Sequence, residues 1–325
     1  MMRAVWIRKF GPPEVLVAGE APDPIPEAGQ AVVQVAAVGI PFVETQVRAG
    51  RSPRPGAGPR PPFIPGNGVG GTVIAVGAGV DSSLVGQRVV TSTGGSGGYA
   101  ELVAVDATGL IPVPTALDLL DAVALLADGR TALALAQVTR IGRGDRVLVT
   151  AAGGGVGSLL IQLARNAGAG TIVAAAGNER KLALAHDLGA DVTIDYRQPD
   201  WPDLVRNASG GTGIDVVFDG VGGSIGRSAF ELTAPGGRYV VFGLSSGSLT
   251  EVSLADIFSR GVVAIGGPHI RSAVHLRELS ITALDLAAEG RLRPIIGQTF
   301  PLERAADAHA AMEARATIGK TLLIA

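Results

Sequence analysis

The chain has 325 residues and a mass of 32.8 kDa, a length that predicts about two domains. Hydrophobic residues make up 47% of it and charged residues 17%, which excludes an intrinsically disordered chain. The net charge is −2, so the overall charge does not favour binding to nucleic acid or to an anionic membrane. The chain has no cysteine, which excludes disulfides, thiolate metal sites and cysteine nucleophiles.

The first residues and the apolar runs predict neither export nor membrane insertion. The first ten residues carry Arg3, Arg8 and Lys9, where a secretory signal needs an apolar run of about 7–15 residues. No apolar run approaches the roughly 18 residues that span a bilayer as a helix. These features predict a cytoplasmic protein with no membrane segment.

The first third of the chain, to about residue 115, is predicted to be rich in β-strands. Short apolar segments bounded by glycine and proline are typical of strands, and they cover residues 31–38, 71–76, 88–91 and 100–105. Residues 51–65 contain six prolines, which lack the amide hydrogen that a sheet requires, so we expect a loop there.

From about residue 116 to 267 apolar strands alternate with helices, a pattern that predicts a parallel sheet covered on both faces. Predicted strands cover 146–150, 171–175, 214–218 and 238–242, and predicted helices cover 117–126, 158–167 and 179–188. The remaining segment, 268–325, is predicted to hold a helix near 274–289 and a closing strand at 320–324.

The sharpest motif is the glycine turn after strand 146–150, with the sequence Ala151-Ala152-Gly153-Gly154-Gly155-Val156-Gly157. Glycines let the backbone approach a pyrophosphate closely, and the helix that follows offers free amides and a partial positive charge. Because both the strand and the helix are present, the motif predicts a dinucleotide site at Ala151, Gly154, Gly155, Val156 and Gly157.

The end of the next strand distinguishes NAD from NADP. An NAD site places Asp or Glu there to hold the ribose hydroxyls, but this strand ends in Ala-Ala-Gly followed by Asn178. Arg180 and Lys181 follow, and either cation can pair with a 2′-phosphate. These residues favour NADP, although Glu179 could serve as a ribose ligand if the strand extends two residues further.

Several further segments, in this order along the chain, extend the pattern: Phe10-Gly11-Pro12-Pro13-Glu14-Val15-Leu16, Pro65-Gly66, Gly98-Tyr99-Ala100-Glu101, Thr131-Ala132, Leu188-Gly189-Ala190-Asp191, Gly236-Gly237-Arg238 and Gly319-Lys320. With the glycine turn, they make the chain resemble the zinc-free medium-chain dehydrogenases/reductases of the quinone oxidoreductase (zeta-crystallin-like) type over nearly its whole length. The resemblance implies an α/β fold in which a Rossmann NADP-binding domain (119–267) is inserted in a β-rich GroES-like catalytic domain (1–118 and 268–325). It also implies a homodimer formed through a sheet edge, for which 262–266 is the candidate strand.

The resemblance also implies further cofactor contacts. Lys181, Tyr196 and Arg315 match positions that hold the 2′-phosphate of NADPH in relatives. Thr131, Phe242 and Gly243 match positions near the nicotinamide, and Asn178 completes the predicted cofactor-binding set. Thr131 could alternatively cap a helix that begins there.

Positions that bind zinc in metal-dependent relatives hold Pro41, Asn67 and Gly68 here, and none of these side chains is a zinc ligand. The cysteine-rich structural zinc loop is missing, and His186, His269, His275 and His309 show no ligand spacing. We therefore expect no metal site and interpret each histidine as a surface or packing residue.

The substrate half departs from the pattern of quinone reductases. Pro41-Phe42-Val43-Glu44 stands where these relatives carry Asn-Phe-x-Asp, and Ser52 stands where they often have tyrosine. Proline offers neither a side-chain hydrogen bond nor an amide donor.

The sequence thus predicts an NADPH-dependent oxidoreductase that reduces a quinone or an α,β-unsaturated carbonyl without metal. Glu44 and Tyr99 are candidates for a proton donor, but a surface or structural role explains Glu44 better and packing explains Tyr99 better, so no catalytic residue is assigned. Two alternatives stay open. One is an enoyl-thioester or biosynthetic tailoring reductase, and the other is a non-catalytic NADPH-binding protein. The expected partner is a small electron-poor molecule, not nucleic acid or a membrane.

Overall fold

The computed structural model describes residues 1–51, 58–266 and 273–325. Its strands in chain order are β1 (Met2–Ile7), β2 (Leu16–Ala21), β3 (Gln30–Ile40), β4 (Gly68–Val76), β5 (Arg88–Ser92), β6 (Leu102–Asp106), β7 (Ile111–Pro112), β8 (Arg146–Thr150), β9 (Thr171–Ala176), β10 (Val192–Asp195), β11 (Ile214–Asp219), β12 (Thr233–Val241), β13 (Val263–Gly266), β14 (Ile296–Pro301) and β15 (Lys320–Ile324). Its helices are α1 (Phe42–Arg48), α2 (Leu119–Thr139), α3 (Gly155–Asn166), α4 (Glu179–Asp187), α5 (Trp201–Ala208), α6 (Gly223–Glu231), α7 (Leu254–Arg260), α8 (Ala273–Ala288) and α9 (Ala305–Glu313).

The chain divides into two compact units. The terminal unit contains residues 1–129 and 280–325, and the central unit contains residues 130–279. Both divisions fall inside helices, α2 and α8, whereas the boundaries expected from the sequence follow residues 118 and 267. Each division therefore lies further along the chain than the boundary expected from the sequence.

The central unit is built on a parallel sheet with the strand order β10-β9-β8-β11-β12-β13. This is the doubly wound order of dinucleotide-binding folds, in which ligands bind at the carboxyl ends of the strands near β8. Val147, Leu148 and Val149 of β8 are fully buried, as expected for a strand with helices on both faces. The predicted Rossmann architecture is confirmed.

The terminal unit is rich in β-strands and is assembled from both ends of the chain. Its larger sheet has the order β14-β15-β3-β4-β5-β7, with β6 also paired to β3, and β1 and β2 form a separate antiparallel pair. Buried residues of β3, such as Val33 and Val38, share a core with Leu323 of β15 and Ala308 of α9. Residues near the two ends of the chain thus depend on each other for burial.

The predicted elements agree best where the apolar pattern is strong. The predicted strands at 146–150 and 320–324 match β8 and β15 at both ends. Helix α3 begins three residues earlier than predicted, within the glycine turn itself. Strand β12 begins at Thr233 rather than at 238, because its first residues pair with β11 across an irregularity in register. Helix α2 is longer than the predicted 117–126 helix and runs to Thr139. No helix in the described ranges is long and apolar enough to cross a membrane.

Candidate functional site

The glycine turn of the central unit is shaped by a left-handed residue and a backbone hydrogen bond. Ala151 follows β8 with a φ of +53°, a left-handed conformation that costs a non-glycine residue about 1–2 kcal/mol. Its carbonyl accepts a hydrogen bond from the Gly154 amide at 2.9 Å, which closes the turn. Gly154 is the N-cap of α3 and has no side chain to cap the helix. The first amides of α3 therefore receive no side-chain cap, which is also the case in phosphate-binding turns.

Two glycines of this turn stand where a side chain would not fit. A Cβ at Gly157 would lie 2.5 Å from the Ala151 oxygen and 3.0 Å from the Ala152 Cα, so α3 packs against the turn with no room to spare. A Cβ at Gly153 would lie 2.6 Å from both Cβ and Cγ of Lys181. The stem of Lys181 therefore lies directly over the turn.

The end of β9 brings two further predicted residues to the same edge of the sheet. Asn178 caps α4, and its Oδ1 accepts the Lys181 amide hydrogen at 3.0 Å. The ring of Tyr196 covers Gly177, since a Cβ there would lie 3.4 Å from the Tyr196 hydroxyl oxygen. Glu179 and Arg180 are exposed on the first turn of α4. Lys181, Tyr196 and the glycine turn thus form one cluster, and Asn178 contributes to it by fixing the start of α4.

The other side of the turn is bounded by Phe242. A Cβ at Gly220 would lie 2.6 Å from the Phe242 Cζ and 3.1 Å from the Ala151 Cβ, so this ring and the turn both border Gly220. The Phe242 and Gly243 amides both donate to the Asp219 carbonyl, at 2.8 and 3.3 Å. The structure therefore brings Phe242 and Gly243 to the carboxyl end of β11, beside the turn.

Asp219 organises this edge, and the sequence analysis missed it. Its side chain is fully buried and accepts hydrogen bonds from five groups, at 2.7–3.1 Å: the hydroxyls of Thr150, Tyr239 and Thr250 and the amides of Val221 and Gly222. A buried carboxylate with this many donors fixes the loops around it. Its position at the end of a buried strand was the available signal, because a carboxylate there needs partners.

Two predicted cofactor residues, Thr131 and Arg315, lie in segments far from the glycine turn along the sequence. Thr131 lies in the interior of α2, so it does not cap a helix that begins there, and that alternative interpretation was wrong. Arg315 belongs to the terminal unit, follows α9 with a φ of +57°, and donates its amide hydrogen to the Met312 carbonyl at 3.0 Å.

The terminal unit contains a buried row of hydrogen-bonded side chains, Glu44, Tyr99 and His309, which we call the polar chain. The Tyr99 hydroxyl donates to Glu44 Oε2 at 2.7 Å and lies 2.8 Å from His309 Nε2. Because a phenol has one hydrogen, a Tyr99 that donates to Glu44 requires the Nε2–H tautomer of His309. The other Glu44 oxygen accepts the Asn67 amide hydrogen at 3.0 Å. Arg48 is also buried, and its Nη2 lies 2.5 Å from Glu313 Oε1.

Burial shifts the pKa values of Glu44 and His309 in the polar chain. It raises the pKa of Glu44 from 4.5 to about 7, against the opposing effect of the hydrogen bonds from Tyr99 and Asn67. Burial also lowers the pKa of His309 to about 3, and the nearby positive charge of Arg48 acts in the same direction. His309 is therefore neutral at physiological pH, while Glu44 is close to its midpoint. His309 was expected to be a surface or packing residue, and the structure shows it fully buried, with a polar contact to Tyr99 that the sequence did not predict.

Comparison with known proteins identifies the family. Residues 27–115 match the alcohol dehydrogenase GroES-like domain, and residues 155–285 match the zinc-binding dehydrogenase domain. A 2-haloacrylate reductase of Burkholderia sp is 34% identical over all of this chain and 99% of its own length. The quinone oxidoreductase of Rattus norvegicus is 32% identical over all of this chain and 98% of its own length. The chain belongs to the quinone oxidoreductase family of medium-chain dehydrogenases/reductases.

A solved quinone oxidoreductase agrees with this assignment in three dimensions. The Escherichia coli enzyme, crystallised with NADPH, superposes with a TM-score of 0.90 at 31% identity and covers 99% of this chain and 100% of its own. The predicted family and fold class are thereby confirmed, and the chain is an oxidoreductase.

In this chain, the positions that bind zinc in metal-dependent relatives have other contacts. Pro41 is the N-cap of α1, the Asn67 amide donates to Glu44 Oε1, and Gly68 is the first residue of β4. Across the described residues, no group of three or more His, Asp or Glu side chains is arranged to hold a metal ion. Ser52 and His269, both considered from the sequence, lie outside the described residues.

Proposed function

We propose that this quinone oxidoreductase relative uses NADPH to reduce a quinone or an α,β-unsaturated carbonyl. The observation that carries the proposal is the glycine turn, where a left-handed Ala151 and an uncapped α3 leave amides for a pyrophosphate. The stem of Lys181 over Gly153 adds a cation at the same edge. We also propose that residues 119–267 form the cofactor domain and that residues 1–118 and 268–325 form the substrate domain.

The cofactor-binding residues fit the parts of NADPH by their chemistry. The turn residues Ala151, Gly154, Gly155, Val156 and Gly157 would bind the pyrophosphate through backbone groups. The ammonium of Lys181, the hydroxyl of Tyr196 and the guanidinium of Arg315 are donors suited to a 2′-phosphate. Asn178 fixes the start of α4, and Thr131, Phe242 and Gly243 would border the nicotinamide. When bound, NADPH supplies a hydride, and the protein supplies position and electrostatics.

The substrate class rests on relatives and on the terminal unit together. One relative is a 2-haloacrylate reductase and another a quinone oxidoreductase, and both names describe reduction of an electron-poor acceptor. Glu44 and Tyr99 are hydrogen-bonded to each other, and Glu44 also accepts the Asn67 amide hydrogen, so neither residue is assigned as a proton donor. We propose water as the proton source.

We further propose a cytoplasmic homodimer. The edge strand β13 is uncharged, and Val263 on it is 52% exposed. On the preceding helix α7, Leu254 is 84% exposed and Phe258 is 90% exposed. Large apolar side chains beside an open sheet edge favour pairing with a second copy. The absence of cysteine fits a reducing compartment.

The direct test is NADPH oxidation by the purified protein, followed by absorbance, against a benzoquinone, a naphthoquinone, a 2-alkenal and an enoyl thioester. We expect turnover with a quinone or the alkenal at a kcat on the order of 1–10 s⁻¹. Preference for the thioester would support the tailoring-reductase alternative instead. No turnover with any acceptor, together with tight NADPH binding, would favour a non-catalytic role and contradict the proposal.

A further inference from the structure

Two loops meet at the carboxyl ends of the neighbouring strands β11 and β12 in the central unit. The β11–α6 loop covers residues 220–222, and the β12–α7 loop covers residues 242–253. The Ser246 amide donates to the Val221 carbonyl at 2.9 Å. Further backbone bonds join Ser245 to Gly220 and Gly223 to Ser248, at 3.2 and 3.1 Å. The two loops therefore hold each other in place.

The Asp219 side chain joins these loops to the sheet. Its Oδ1 accepts the hydroxyl hydrogen of Thr150, the last residue of β8, at 3.0 Å. Its Oδ2 accepts from the hydroxyl of Tyr239 in β12 at 2.7 Å and from that of Thr250 in the β12–α7 loop at 2.9 Å. Asp219 is itself the last residue of β11 and is fully buried. One carboxyl group thus links β8, β11 and β12 near their carboxyl ends and fixes the β12–α7 loop through Thr250.

Helix α6 carries a glycine where it passes over this contact. A Cβ at Gly226 would overlap both the Thr250 hydroxyl and the Asp219 carboxyl group, so a larger residue does not fit there. The Tyr239 hydroxyl lies 3.0 Å from the Thr250 hydroxyl, within the same group of bonds. Both Asp219 oxygens are occupied by protein donors, so this carboxyl group acts on a ligand only through the loops that it holds.

The order of the strands assigns the two halves of a dinucleotide to different parts of this edge. The strand order reverses between β8 and β11, and ligands of such sheets bind across that point. Under the proposed function the turn after β8 binds the pyrophosphate, and Lys181, after β9, binds the 2′-phosphate of the adenosine half. The nicotinamide half then extends in the opposite direction, over the ends of β11 and β12, where Phe242 and Gly243 begin the β12–α7 loop.

We propose that Asp219 is a positioning residue for the nicotinamide half of NADPH, acting through its hydrogen bond to Thr250. That bond fixes the β12–α7 loop and with it Phe242 and Gly243, which would border the nicotinamide. This role rests on the proposed use of NADPH. It matters for the reaction because hydride transfer requires the reacting atoms to be held about 3–3.5 Å apart in a defined orientation.

The first test compares Thr250→Val, which removes the hydroxyl and keeps the volume, with Thr250→Ser, which keeps the hydroxyl. Calorimetric titration gives the Kd of NADPH and that of adenosine 2′,5′-bisphosphate, which has the 2′-phosphate but no nicotinamide. We expect Thr250→Val to raise the Kd of NADPH about fivefold, because part of the lost hydrogen bond is transmitted to the ligand. Thr250→Ser should bind NADPH as the wild type does. The Kd of the bisphosphate should change less than about twofold in either variant.

Asp219→Asn should have the larger effect. One acceptor oxygen becomes an NH₂ donor that faces the hydrogens of its former partners. We expect the Kd of NADPH to rise about tenfold, again with little change for the bisphosphate. If Asp219→Asn does not fold, the comparison of Thr250→Val with Thr250→Ser still decides the proposal.

The matched control carries the same chemical change at the other end of β11. Thr212 is exposed just before that strand, and its hydroxyl donates to the Ser209 carbonyl at 2.9 Å. Thr212→Val therefore also removes one hydroxyl and one hydrogen bond from the central unit. It should leave the Kd values of NADPH and of the bisphosphate unchanged.

A second measurement reports directly on the nicotinamide ring. The reduced ring is fluorescent, and its anisotropy rises when its rotation is restricted. At saturating protein we expect NADPH to show a lower anisotropy with Thr250→Val than with the wild type, Thr250→Ser or Thr212→Val. General destabilisation would lower the melting temperature but would not change the anisotropy of NADPH bound to the folded protein.

Two results would overturn the role of Asp219. One is an equal rise in the Kd of NADPH and of the bisphosphate in Thr250→Val, since the bond would then support the whole site. The other is a Thr250→Val protein with the wild-type Kd and anisotropy for NADPH. A wild-type protein that binds NADPH but reduces no acceptor would overturn the proposed reductase activity, and the titrations would still decide the role of Asp219. A wild-type protein that does not bind NADPH would overturn both.

Discussion

The glycine turn of the central unit and the polar chain of the terminal unit are built in opposite ways. The turn is formed by adjacent backbone groups from Ala151 to Gly157, and its donors are amides that do not titrate. The polar chain joins side chains from positions 44, 99 and 309, which burial leaves with shifted pKa values. We therefore expect the turn to be sensitive to added volume and insensitive to pH, and the polar chain to show the reverse.

The largest effect should come from adding volume to the turn. Gly157→Ala places a Cβ 2.5 Å from the Ala151 oxygen, a distance that forces α3 or the turn to move. Because both cofactors share the pyrophosphate, we expect the Kd values of NADPH and NADH to rise together by about 100-fold, or about 2.7 kcal/mol. Fluorescence titration measures both.

Gly142→Ala is the matched control for this variant. A Cβ at Gly142 would meet its nearest neighbour, the Asp145 side chain, at 3.7 Å, which is ordinary van der Waals contact. It should leave both dissociation constants unchanged. If Gly157→Ala bound NADPH as tightly as the control while keeping its melting temperature, the glycine turn would not be the pyrophosphate site.

The same contrast explains what could be predicted from the sequence. The turn and its flanking strand are contiguous, so one apolar run followed by glycines predicted β8 with correct ends and the position of the turn. The polar chain depends on residues 210 positions apart, Tyr99 and His309, and no local pattern signals that they meet. Helix α1 was missed because its seven residues, Phe42–Arg48, are too few to show a helical period and because its buried residues, Glu44, Thr45 and Arg48, are all polar.

A change in pH should affect the polar chain instead. Burial raises the pKa of Glu44 from 4.5 to about 7, so the folded state favours the protonated carboxyl. The stability that this group contributes is fully present below pH 4.5 and is lost as the pH rises to about 7. Between pH 5 and 8, the unfolding free energy of the wild type should fall by about 2–3 kcal/mol relative to that of Glu44→Gln, which has no proton to lose.

Glu251→Gln, at an exposed carboxyl on the central unit, is the control for this comparison. Denaturant unfolding of all three proteins at several pH values would give the difference directly. The groups facing Glu44 are the Tyr99 hydroxyl, the Asn67 amide and, at longer range, the Lys320 ammonium, and the Gln variant keeps all of them. A pH-independent difference between the wild type and Glu44→Gln would mean that Glu44 is ionised in the folded protein throughout this range.

The smallest expected effect distinguishes the role of Lys181 from that of the glycine turn. Lys181 differs from the turn beneath it because we propose that its ammonium binds the 2′-phosphate, a group that NADPH has and NADH lacks. We expect Lys181→Ala to raise the Kd of NADPH about tenfold, or about 1.4 kcal/mol, since the side chain is partly exposed and its charge is screened. The Kd of NADH should change less than twofold.

Arg180→Ala is the control, because it removes an adjacent exposed positive charge. It should leave the Kd values of NADPH and NADH unaltered, which distinguishes a specific contact of Lys181 from a general loss of positive charge. Equal losses for NADPH and NADH in Lys181→Ala would mean that the lysine supports the turn through its stem over Gly153 rather than binding the 2′-phosphate.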